Sequence, residues 1–266
     1  MSPDRRVLVH ESKEALATAV AARFLRKVKD LIEEFGEASV VLTGGSMGIA
    51  ALAAINASPS RDSIDWSRVN VWWGDERWLP EGDPERNETQ ARDALLDHVG
   101  VDPARVHPFA RSDSGIELDA AAEAYSAELA ANAPRSAQFP HFDITFLGMG
   151  PDGHIASLFP GMEGIRETVA TVIPVRNSPK PPPERLSLTL PTINSSARVW
   201  AVVAGADKAS ALGLTLADAS IDEVPAAGVE GRRSTLFFVD GDAAAEVPEN
   251  LIDPGQFWTG ADEETV

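Results

Sequence analysis

The sequence predicts an α/β protein built on a mostly parallel, Rossmann-like sheet flanked by helices. Short apolar runs rich in Val, Ile, Leu and Phe recur along the 266 residues, and alanine-rich stretches with helical spacing separate them. Three of those runs lead directly into loops dense in glycine or charge, the usual place for a ligand in an open parallel sheet. Strands are expected at 6–9, 39–42, 69–73, 143–147, 185–189, 199–203 and 235–239, and helices at 13–35, 47–56, 87–99, 118–131 and 208–217.

The segment NSPKPPPERLS, at 177–187, holds four prolines and has the composition of a linker. A strand pattern follows it at once and no shift in composition accompanies it, so it reads as a stiff loop of the active site inside one domain. That domain is expected to span 1–258, with a frayed tail at 259–266. From Asp240 onward the chain is acidic and weakly patterned, and it is expected at the surface.

Composition excludes several classes. The chain carries 23 Lys plus Arg against 41 Asp plus Glu, a formal charge of −18, which repels nucleic acid and anionic lipid. An anionic ligand therefore requires cations gathered locally against the average field. Cysteine is absent, which removes disulfides, thiolate zinc sites and a Cys nucleophile and suits a reducing cytoplasm. The histidines, His10, His98, His107, His141 and His154, show neither i, i+4 pairing nor clustering, so no metal and no other cofactor is expected. No N-terminal signal pattern and no run of ~18 apolar residues occurs. The expectation is a cytoplasmic monomer or weak dimer acting on a small molecule, with no nucleic-acid or membrane partner.

The first of the three loops is VVLTGGSMGIAAL, in which Thr43, Gly44, Gly45 and Ser46 follow a strand and open a helix. Converging N–H groups, a hydroxyl and a helix N-terminus suit a phosphate. The alternative is a tight turn in which Ser46 is only an N-cap. It is not a Walker loop, because the Lys that should precede Ser or Thr is missing. The second loop, VNVWWGDERWLP, delivers Asp75, Glu76 and Arg77 after a strand whose Trp72 and Trp73 look buried. Mixed charge there suits a site that orients a polar substrate; the alternative is a solvated ion pair.

The third loop, FDITFLGMGPDGHIASLFPG, matches G-x-G-x-x-G through Gly148, Gly150 and Gly153. Pro151 removes an N–H and Asp152 puts a carboxylate where a pyrophosphate would sit, so a dinucleotide is rejected. What the loop offers instead is Asp152 and His154, a carboxylate and an imidazole two residues apart. Histidine can take a proton from water and a neighbouring carboxylate can orient it.

Taken in register, TGGS at 43–46, WWGDERWLP at 72–80, Asn87, GMGPDGHIASLFPG at 148–161, KPPPERLSLTL at 180–190 and GADKA at 205–209 resemble the glucosamine-6-phosphate isomerase/6-phosphogluconolactonase family, on its lactonase side. The match runs from about residue 7 to about residue 240. The resemblance implies the glucosamine-6-phosphate deaminase-like fold and hydrolysis of 6-phospho-D-glucono-1,5-lactone in the oxidative pentose phosphate pathway. It implies His154 as general base, Asp152 as its orienting partner and Arg77 at the substrate carbonyl or oxygens. Gly44, Gly45, Ser46, Asp75, Arg185 and Lys208 fall at substrate or phosphate positions. Two alternatives remain. An amino-sugar-phosphate deaminase resembles the same loops but has a glutamate five residues beyond the histidine, where this chain has Phe159. A non-catalytic sugar-phosphate sensor of this fold would carry a DNA-binding segment, and no basic helix pair is visible.

Overall fold

Apolar runs without alternation are what strands covered on both faces require, and the central strands here have that character. The computed structural model describes residues 4–135 and 137–252; the tail expected at 259–266, with Trp258 before it, lies outside them. The chain forms β1 (Asp4–His10), α1 (Lys13–Phe35), β2 (Ala38–Leu42), α2 (Gly45–Ala57), β3 (Val69–Trp73), β4 (Asp75–Arg77), α3 (Asn87–Ala94), α4 (Leu118–Ala131), β5 (Ile144–Leu147), β6 (Val172–Val175), β7 (Arg185–Leu188), α5 (Leu190–Asn194), β8 (Arg198–Val203), α6 (Ala209–Leu216) and β9 (Ser234–Asp240), joined by short 3₁₀ turns. Every residue of β2, β5 and β8 is buried.

Six strands make one parallel sheet in the order β1-β9-β8-β5-β2-β3. From β2 the chain moves to β3 at one edge, whereas from β5 it moves through β8 and β9 toward the other. The direction of winding therefore reverses between β2 and β5, and at such a reversal the loops leaving the two strands diverge and open a crevice. α1 starts where Ser12 accepts a hydrogen bond from the Ala15 N–H at 3.1 Å, and it ends at Gly36 in the left-handed region. Leu16, Val20, Phe24, Val28 and Leu31 form its buried stripe, at helical spacing, in the single core cluster of the described residues.

The strand expected at 185–189 exists, but it lies outside the parallel sheet. It is β7, the middle of a small antiparallel sheet in the order β4-β7-β6. The helix expected at 87–99 stops at Ala94, because Leu95 leaves helical geometry and a 3₁₀ turn follows. The stretch after Asp240 lies mostly at the surface, as expected, but it is anchored at its start. The Asp240 carboxylate accepts the N–H groups of Gly205 and Ala243, and Ala243 is itself buried. Among the described residues no helix is long and apolar enough to cross a membrane.

Two histidines make the core sensitive to acid. The buried His107 ring stacks on Trp72 with centroids 3.7 Å apart, and His10 stacks on Phe238. Burial pushes both pKa values below the ordinary histidine value. Since the folded state disfavours the cation, the unfolded chain takes up protons first, so their contribution is complete above about 6.5 and fades as pH falls below it. We expect the melting temperature to decline on acidification from pH 7.5 to 5.5, and less steeply in His107→Gln. Equal slopes in the two proteins would remove His107 from this role.

Candidate active site

The crevice at the reversal holds a cavity of about 180 Å³, lined by the loops after β2, β5 and β8 and by the β4–β7 pair. That is below the ~300–1,000 Å³ of drug-sized pockets and suits a small polar molecule. Of the residues expected from sequence, Gly44, Gly45, Ser46, Asp75, Arg77, His154, Arg185 and Lys208 all line it. Asp152 is not in the wall but lies behind His154, where an orienting group belongs.

At the β2 loop, Gly44 is the N-cap of α2 and makes no side-chain cap, while Ser46 sits inside the first turn. Ser46 is thus not the N-cap that the alternative reading required; it lies exposed at the mouth of the cavity beside Gly45, whose φ of 80° needs glycine. The unpaired N–H groups of the α2 first turn and their dipole favour an anion at this end.

The second loop divides its charges between structure and site. The buried Glu76 carboxylate accepts N–H groups of Arg77, Asn87 and Glu88 at 2.8, 2.6 and 2.9 Å, and Arg86 lies 3.6 Å away. It is a cap for α3 supplied from another strand. Burial pushes its pKa up to about 7 against Arg86 and those donors. With three N–H groups and a guanidinium as its partners, the surroundings are built for the ionised form. Asp75 is buried too: one oxygen accepts the Ser157 hydroxyl at 2.7 Å and the other the Asn87 amide at 3.2 Å. Both oxygens of this expected substrate ligand are therefore engaged within the protein.

Arg77 and Arg185 are directly paired across β4 and β7. Like charges opposite one another in a sheet destabilise it, so the pair calls for an anion between or above them. Burial draws the Arg185 pKa down, Asp75 supports its charge, and Arg77 opposes it. Arg77 Nη1 donates to the Glu85 carbonyl at 2.5 Å, while its buried Nε has no hydrogen-bond partner in the structure. Arg185 has a second task, since its Nε and Nη2 hold the carbonyls of Lys180, Pro181 and Pro182. Lys208 reaches the cavity from the loop after β8, which Asp240 fixes through the Gly205 N–H.

In the third loop, His154 Nδ1 lies 2.5 Å from Asp152 Oδ1. A carboxylate only accepts, so Nδ1 carries the proton and Nε2 is left as the basic nitrogen. Partial burial acts to raise the Asp152 pKa, but hydrogen bonds from His154 and Lys180, with positive charge beside them, outweigh it and hold the carboxyl well below the usual carboxylate range. The glycine triplet leads into turns rather than a helix, so it offers no helix N-terminus to a pyrophosphate. Its glycines serve the pair instead: a methyl at Gly150 would overlap both the His154 ring and the Asp152 carboxylate, and Gly153 has a φ of 77°. Phe159, where the deaminase pattern calls for an acid, packs on the His154 ring at 4.6 Å.

Sequence reading missed Lys180, Asn87 as a clamp, and Asp240. Lys180 Nζ lies 3.2 Å from both Asp152 Oδ1 and His154 Nδ1. Its signal was present in principle, as one of few cations in an acidic chain within a stiff loop. Among the described residues no cluster of three or more His, Asp or Glu is placed to hold a metal ion.

A parallel sheet with an uncapped helix N-terminus and an Asp–His pair at its switch point defines an α/β protein with a polar ligand crevice, and comparison with known proteins makes this specific. The family described as glucosamine-6-phosphate isomerases/6-phosphogluconolactonase matches residues 11–238, and the chain belongs to it. It is 53% identical over 258 residues to a 6-phosphogluconolactonase of Streptomyces coelicolor, covering 96% of this chain and 99% of that protein. The solved 6-phosphogluconolactonase of Trypanosoma brucei superposes with a TM-score of 0.77 at 28% identity, covering 93% of this chain and 100% of the other. A monomeric glucosamine-6-phosphate deaminase superposes at 0.75 with 20% identity, covering 91% and 99%, a likeness of fold alone.

Gly150→Ala is expected to displace the Asp152–His154 pair, whereas Gly100→Ala adds a methyl that meets no atom within 4 Å. The low-field proton resonance of the short Nδ1–H hydrogen bond should vanish in the first variant and persist in the second. Its persistence in Gly150→Ala would show that the close approach does not hold the ring.

Proposed function

We propose that this chain hydrolyses 6-phospho-D-glucono-1,5-lactone to 6-phospho-D-gluconate, the second step of the oxidative pentose phosphate pathway in the cytoplasm. One observation carries the reading: the Asp152 contact leaves His154 Nε2 as the basic nitrogen of a ring that lines a cavity rich in cations. The lactonase relatives support the choice of substrate.

The phosphate binds the α2 N-terminus at Gly44, Gly45 and Ser46, with Arg185 and Lys208 supplying charge. His154 Nε2 takes a proton from water as the water oxygen bonds to the lactone carbonyl carbon, and the carbonyl electrons move onto oxygen. Arg77, which lines the cavity, stabilises that oxyanion. As the carbonyl re-forms, the bond to the ring oxygen breaks and the imidazolium returns its proton to that oxygen. The product is an open-chain carboxylic acid with a free hydroxyl, which releases its remaining proton to solvent to become the carboxylate, and the base is restored. Asp152 stabilises the imidazolium in between without taking its proton. Asp75 organises the loops. No metal or cofactor has a part in these steps.

The test is a coupled assay on freshly made lactone, scored above spontaneous hydrolysis. His154→Asn keeps a polar side chain but cannot accept the proton, so kcat should fall by ~10² to 10⁴ with KM little changed. Asp152→Asn should fall less. A folded His154→Asn protein with the wild-type rate would exclude His154 as the base.

A further inference from the structure

The 177–187 loop does more than close the cavity. Its Lys180 Nζ approaches Asp152 Oδ1 and His154 Nδ1 to 3.2 Å each, while Asp152 Oδ1 and His154 Nδ1 are 2.5 Å apart. One carboxylate oxygen therefore receives two donors, the imidazole N–H and the ammonium. With its proton directed at Asp152, Nδ1 has no lone pair for Lys180, so the 3.2 Å approach of ammonium to ring is one of charge and not a second hydrogen bond.

The ammonium is held there by its backbone. The Lys180 carbonyl accepts from Arg185 Nη2 at 3.1 Å and from the Ser178 hydroxyl at 2.8 Å. Arg185 grips the next two carbonyls as well, and its guanidinium lies over the Phe159 ring, which packs on His154. The lysine and the imidazole are thus tied to one buried arginine.

We propose that Lys180 is a positioning residue of the site: it holds Asp152 Oδ1 under the His154 ring and keeps that ring neutral between turnovers. This rests on reading His154 as the base. A carboxylate alone beside an imidazole favours the cation, which cannot accept a proton from water. The ammonium on the same oxygen offsets that pull, so the ring begins each cycle able to accept and then readily returns its proton to the ring oxygen of the substrate. The other charged groups that line the cavity with the ring, among the described residues, are Asp75 and Arg77 of β4, Arg185 of β7, and Lys208 after β8. They line the cavity where the substrate binds, whereas Lys180 is absent from its lining.

The experiment compares Lys180→Met, Lys180→Gln and Lys180→Arg with the wild type and with His154→Asn, each checked for folding by circular dichroism and melting temperature. In the Met and Gln variants kcat is expected to fall about tenfold with KM nearly constant, and the acid limb of the kcat/KM profile to move up by about one pH unit. Arg, which restores the charge, should return the limb toward the wild-type position. A wild-type kcat and an unmoved limb in both neutral variants would overturn the proposal, and so would a loss confined to KM. If His154→Asn is inactive while the Lys180 variants behave as wild type, only this proposal fails; if His154→Asn is fully active, the reading of His154 fails instead.

Discussion

The carboxylate of Asp75 joins the three loops on which the cavity depends. Asp75 stands just beyond β3, at the start of β4; it accepts the Ser157 hydroxyl from the loop after β5 and the Asn87 amide from the start of α3. Asn87 in turn packs so closely on Gly44 of the β2 loop that a methyl there would overlap its side-chain oxygen. One buried acid therefore ties together the β2 loop, the loop after β5 and the start of α3. Such a group is costly to bury without partners, and its two hydrogen-bonded oxygens offset that cost. The left-handed Ala156, with a φ of 46°, lies just before Ser157 at the turn that brings its hydroxyl to Asp75.

Around that hub the charges are placed against the average of the protein. The chain has a formal charge of −18, yet Arg77, Arg185 and Lys208 converge on one cavity at the N-terminus of α2. The Arg77–Arg185 pairing across β4 and β7 sets like charges opposite one another, an arrangement that Asp75 offsets in part and that a bound anion would relieve further. Glu76 and Arg86 are spared for structure, the one capping α3 and the other holding the carbonyls of Leu79 and Phe109. Two adjacent acids with similar sequence signals thus have different roles, separated only by which side of β4 each occupies.

Much of this was legible in the sequence because it is local. The strand 69–73 and the helices 13–35 and 118–131 coincide with β3, α1 and α4, each set by a continuous apolar pattern. The three loops stand out because glycines and charges follow buried strands directly. What was not legible depends on distance along the chain. β4 and β6 have three and four residues, too few for a period, and their pairing with β7 is set by residues far away. For the same reason nothing in KPPPERLSLTL shows that its lysine reaches a histidine 26 residues earlier. The role of Asp240 was hidden because an acid at the end of a strand looks like surface until the N–H groups it accepts are known.

The central claim is that this cavity recognises its substrate by the phosphate, through the α2 N-terminus and the gathered cations. The direct measurement is the ratio of kcat/KM for 6-phosphogluconolactone to that for unphosphorylated gluconolactone in the wild-type protein. Two charge-assisted contacts at ~1.5 to 3 kcal/mol each imply a ratio on the order of 10² to 10⁴. Equal values for the two lactones would contradict it.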